Sequence, residues 1–168
     1  MKKAAVVVGL LMAGLVFSPR LWSQDKDHAE LAKAVTGAKV SLEQGLSAST
    51  HADKPISAKF EIEDGKLQLS VYTAKGDAFS EVVVDHNTGK AAKTEAITSG
   101  EDLSAAKTQN EAMAKAKQSL HATLAKVLKA NPGFRAVSIF PALKDGHPVA
   151  EITLTKGDEW KTVSETLD

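Results

Sequence analysis

Between Ile56 and Asp85 apolar and polar residues alternate in three short runs, which predicts three strands joined by two tight turns. A two-residue Asp64-Gly65 loop pairs Ile62 with Leu67, Phe60 with Leu69 and Ala58 with Val71. Carried on through a two-residue Lys75-Gly76 loop, the register sets Leu69 opposite Val82 and Leu67 opposite Val84. All three strands then turn their aliphatic residues to one face. The plan returns later in the chain. Asp64-Gly65 recurs as Asp145-Gly146, and Lys75-Gly76-Asp77 as Lys156-Gly157-Asp158, both 81 residues on with no insertion between them. The second hairpin pairs Leu143 with Pro148, Pro141 with Ala150, Ile139 with Ile152 and Val137 with Leu154. Pro141 and Pro148 cannot donate to a ladder, which places this pair at an edge or on a bulge.

Helical spacing frames the strands. From Gln24 to Ser49, Leu31, Val35, Ala38, Leu42 and Leu46 step by three and four along one side, with Asp25 or Asp27 able to cap the start. From Ser99, which with Asp102 resembles a capping box, a second helix runs to Ala130 and stops at Asn131-Pro132-Gly133. Shifted by 82, Leu31-Ala32-Lys33-Ala34 falls on Met113-Ala114-Lys115-Ala116. The expected class is therefore α+β, with two tandem α-β-β-β repeats, each a helix packed on a three-stranded antiparallel sheet. Repeat one spans residues 24–98, in which 90–98 is a link, and repeat two spans 99–168.

Composition is ordinary for a folded domain, with 43% hydrophobic and 25% charged residues. Residues 1–23 read as an export signal, in which Lys2 and Lys3 lead an apolar run from Ala4 to Phe17 that Ser18-Pro19 breaks. The expected location is thus periplasmic or secreted, with membrane contact only through that segment if it stays uncleaved. Without it, 18 basic and 21 acidic residues leave a net charge of −3, which gives no global pull on nucleic acid or anionic lipid. No cysteine is present, so disulfides, thiolate metal sites and cysteine nucleophiles are excluded.

The helix end at Leu124–Gly133, the strand Phe134–Ile139, the Asp145-Gly146 turn and the Pro148-Val149 opening of the next strand together resemble the PepSY domain. So does Val82-Val-Val-Asp85 followed by His86-Asn-Thr-Gly-Lys90, which is similar to that family's closing strand and T-G turn. The resemblance implies a non-catalytic module of exported bacterial proteins and of secreted-peptidase propeptides, where it is proposed to inhibit or restrain a peptidase. Tandem helix-and-sheet repeats also resemble the architecture of secreted proteinaceous enzyme inhibitors, an analogy of fold alone.

Motifs for catalysis are missing: His28, His51, His86, His121 and His147 are scattered, and no H-E-x-x-H, G-x-S-x-G, phosphate loop or dinucleotide fingerprint occurs. Asp25-Lys26-Asp27-His28 could offer metal ligands but reads better as a solvated helix start, and Asp85-His86 reads as a turn rather than an acid–base pair. No catalytic residue, metal site or cofactor is therefore expected. The register places Tyr72 opposite Phe79 and Trp160 opposite Thr153 on the outer sheet face, with Phe140 outward as well. Those four aromatics are the candidate binding residues, unless the two repeats pack these faces together as a second core layer. The expectation is a non-enzymatic protein-binding module, with a small-ligand or metal-binding envelope protein as the alternative.

Overall fold

The computed structural model describes residues 20–49 and 53–168, the side chains of residues 20–27 excepted. The expected export segment thus lies almost wholly outside the described residues. Two helices, α1 (Arg20–Gly37) and α2 (Leu42–Ser49), precede strands β1 (Lys54–Glu63), β2 (Lys66–Lys75), β3 (Ala78–Val84) and β4 (Ala91–Ile97). Then come α3 (Gly100–Lys115), α4 (Leu120–Ala130), β5 (Arg135–Lys144), β6 (His147–Lys156) and β7 (Glu159–Thr166). The fold is α+β, with seven antiparallel strands in one sheet ordered β4-β3-β2-β1-β5-β6-β7. Instead of two separate sheets, β1 and β5 join edge to edge, Ala58 facing Ile139 and Lys59 facing Ser138.

The Asp-Gly turns set the register the letters predict, with Phe60 on Leu69 and Ile139 on Ile152. At those turns Asp64 (φ 48°) and Asp145 (φ 52°) join their glycines in the left-handed region, as a type I′ loop demands. The next turn differs. Leu69 faces Val84 and Val71 faces Val82, because the loop is Gly76-Asp77, with glycine at φ 60° in the first central position. Gly157 does the same, so Trp160 faces Thr155 rather than Thr153. A slip of two residues leaves every side chain on its face.

The second hairpin carries a register shift between Ala136 and Ser138, so Ala136, not Val137, faces Leu154. The first has the same irregularity between Pro55 and Ser57. With β5 and β6 inside the sheet, Pro141 is not at an edge. It is tolerated because the short β1–β5 ladder stops before it.

Both expected helices are broken. Ser41 starts α2 with a capping box: its Oγ accepts from Gln44 N (3.2 Å) and its N–H donates to Gln44 Oε1 (2.8 Å). Ser119 starts α4 by accepting from Ala122 N at 3.1 Å. Ser99 is extended at φ −160° and makes no capping bond, so the expected box with Asp102 does not form. Each link hooks two successive N–H groups onto one carbonyl: Lys39 and Val40 onto His86 O, and Lys117 and Gln118 onto Leu167 O. These anchors put the helices 78 residues apart, not 82, a difference of about one helical turn.

α2 and α4 cover one sheet face, where Leu42, Leu46, Leu120, Leu124 and Val127 meet Leu69, Val71, Val82, Ile139, Ile152 and Leu154 in one core. α2 approaches the sheet closely at Gly45, where a Cβ would stand 2.7 Å from Leu69 Cδ2. α3 and α1 lie on the other face. Residues 91–97, expected as part of a link, form edge strand β4, exposed apart from half-buried Ile97. No helix among the described residues is long and apolar enough to cross a membrane.

Candidate binding surface

Alternation sends Ser57, Lys59, Glu61, Gln68, Ser70, Tyr72, Phe79 and Glu81 to the face away from α2 and α4, with Ser138, Phe140 and Trp160 beside them across the β1–β5 seam. The four candidate aromatics share this face but stand in three places. Phe79, facing Ala74 rather than Tyr72, is 5% exposed and floors a cleft of about 720 Å³ with Ile97 and Leu103. Tyr72 faces Glu81 and is half-buried. With Phe140, also half-buried, it borders a cavity of about 180 Å³ closed by Asp102, Ala105, Ala106 and Gln109 of α3. Trp160 stacks on His28 of α1, ring centroids 4.7 Å apart and planes 28° from parallel. The layer over this face is therefore α1 and α3, and not a second sheet face, because the halves meet edge to edge.

A polar chain crosses the same face. Lys59 Nζ lies 2.5 Å from Glu61 Oε2 and 5.8 Å from the Tyr72 ring centroid. Ser70 Oγ donates to Glu61 Oε1 (3.2 Å), and Gln68 Nε2 donates to Ser70 Oγ (3.0 Å) and Glu81 Oε1 (3.4 Å). Ser57 Oγ donates to Gln109 Oε1 at 2.6 Å, tying α3 to β1. Burial works to lower the Lys59 pKa, but the Glu61 hydrogen bond and the charges of Tyr72 and Glu61 outweigh it, and the amine is pushed up. Burial also pushes the Tyr72 hydroxyl up, partly opposed by Lys59. This polar chain was not among the candidate residues the sequence suggested. Its signal was the polar half of the alternation, Lys59, Glu61, Gln68, Ser70 and Glu81, opposite the aliphatic half.

The remaining candidates fall into place individually. Asp85 Oδ1 accepts from the backbone N–H of Asn87 (2.8 Å) and Thr88 (2.9 Å), and these bonds hold its carboxyl below the usual range. Asp85-His86 is thus a turn. The side chains of Asp25 and Asp27 lie outside the described residues, and His28 is engaged with Trp160. Among the described residues no group of three or more His, Asp or Glu could hold a metal ion. Comparison with protein families, with curated proteins and with solved structures finds no match.

Proposed function

We propose that the chain consists of two tandem PepSY-like repeats and acts, after export to the periplasm or beyond, as a non-enzymatic module that binds another protein, a peptidase being the first candidate. The two halves follow the same order of helix, four-residue link, helix and three antiparallel strands, with corresponding turns and strand irregularities. That order supports the repeat, and β4 is an addition to the first half.

One observation carries the binding reading. Tyr72 and Phe140, from different halves, flank Lys59 around one opening on a face only partly covered by its two helices. Half-exposed aromatic rings beside a charged group, ringed by hydrogen-bonding side chains, make the kind of centre at which interface energy concentrates. To test it, the purified protein is immobilised and offered secreted peptidases and an envelope lysate, as wild type and as Tyr72→Ala and Phe140→Ala. Each substitution should cost about 2 kcal/mol in binding, roughly 30-fold in Kd, in a protein that stays folded at a lowered melting temperature. Absence of any saturable protein partner would overturn the reading.

A further inference from the structure

A cavity of about 500 Å³ lies by the start of β1, walled by Leu46 of α2, Pro55 of β1, and Met113, Ala116 and Leu120 around the α3–α4 link. It shares no lining residue with the opening at Tyr72 and Phe140. Its counterpart in the first half follows from the spacing of 78 between helices and 81 between strands. Lys39, Ser41 and Leu42 stand there for Lys117, Ser119 and Leu120, and Arg135 and Ala136 for Lys54 and Pro55. That counterpart measures only about 230 Å³, with Phe134 and Arg135 against it. The Arg135 guanidinium reaches across to donate to Ala38 O (3.0 Å) and Val40 O (3.4 Å). The position corresponding to Phe134 is Asp53, which does not line the larger cavity, and Lys54 sends its amine to Met113 O (3.2 Å). One site thus occurs twice, narrowed by an aromatic ring and a guanidinium in one half and left open in the other.

A volume of about 500 Å³ falls in the range of small-molecule sites, which bury an apolar body and fix it with a few polar groups. Among the described residues, the ionisable ones lining it are Lys54, Lys117 and His121, with no Asp or Glu. Apolar walls with a wholly basic set of ionisable groups suit an apolar tail that ends in a negative charge. We propose that this cavity binds a free monocarboxylate with an acyl tail, the tail lying on Met113, Ala116 and Leu120 and the carboxylate meeting Lys117. The inference is independent of the protein-binding surface.

Titration calorimetry of the full chain with decanoate, with decanol and with decyltrimethylammonium tests it. Decanoate should bind saturably at one site, with decanol at least 10-fold weaker and the cation not bound. Ala116→Trp, which fills the cavity, and Lys117→Glu, which reverses its charge, should each weaken decanoate at least 10-fold, while Lys117→Glu leaves the ligand-free melting temperature unchanged. Decanol binding as tightly as decanoate would overturn the proposal. So would decanoate binding untouched by Lys117→Glu, or cosedimentation with anionic phospholipid vesicles in the absence of decanoate binding.

Discussion

At Gly45 two effects of one methyl group oppose each other. Alanine in a helix interior is favoured over glycine by up to about 1 kcal/mol. Its Cβ, however, would sit 2.7 Å from a side-chain carbon of Leu69, which is fully buried, and overpacking of this kind costs about 1–3 kcal/mol. Overpacking wins, so Gly45→Ala should lower stability by about 1 kcal/mol in urea unfolding. Gly37→Ala, with nothing within 4 Å of the added carbon, should raise it by about 0.5 kcal/mol. Tyr72 and Lys59 give a prediction in pH. Both are raised in the fold, so the folded protein keeps their protons where the unfolded chain releases them, and stability falls as pH rises above about 10. Tyr72→Phe removes one of the two titrations, and the urea midpoint should then fall less steeply over this range. A slope equal to wild type would contradict the placement of Tyr72.

Strand and helix periods determine a face but not a phase, which explains what the letters revealed about each element. Leu69, Val82, Ile139 and Ile152 were legible as core because alternation alone assigns them, and the outward aromatics were legible for the same reason. A two-residue slip at Gly76 and a four-residue slip in the helices keep every face, so neither could be detected from apolar spacing. The breaks at residues 38–41 and 116–119 were hidden because apolar spacing runs through them. Strand β4, Ala-Ala-Lys-Thr-Glu-Ala-Ile, was hidden because it has no apolar face to bury. The placement of α1 and α3 on the outer sheet face was missed with those breaks, and with it the layer that covers the aromatics. Caps decide such starts. Ser41→Ala, which dismantles a formed capping box, should cost about 1 kcal/mol in urea unfolding, whereas Ser99→Ala, which removes no bond, should stay within about 0.5 kcal/mol of wild type.

Across the whole molecule, the β1–β5 junction decides whether there is one surface or two. Because β1 and β5 pair antiparallel at Ala58 with Ile139 and Lys59 with Ser138, Tyr72 and Phe140 reach the same opening, and α1 and α3 can lie over a continuous face. Two sheets stacked or hinged apart would separate those rings and leave no shared opening. The chain has no cysteine, so an introduced pair reports on this junction without background. In Lys59→Cys with Ser138→Cys the Cβ atoms of facing residues come about 4.5–5.5 Å apart, near enough for a disulfide with slight adjustment. Mild oxidation followed by non-reducing electrophoresis and mass spectrometry is the direct measurement. The account predicts rapid intramolecular cross-linking of that pair and little for Lys59→Cys with Ala142→Cys. Failure of the facing pair to cross-link while the protein remains folded, or equal cross-linking of both pairs, would contradict it.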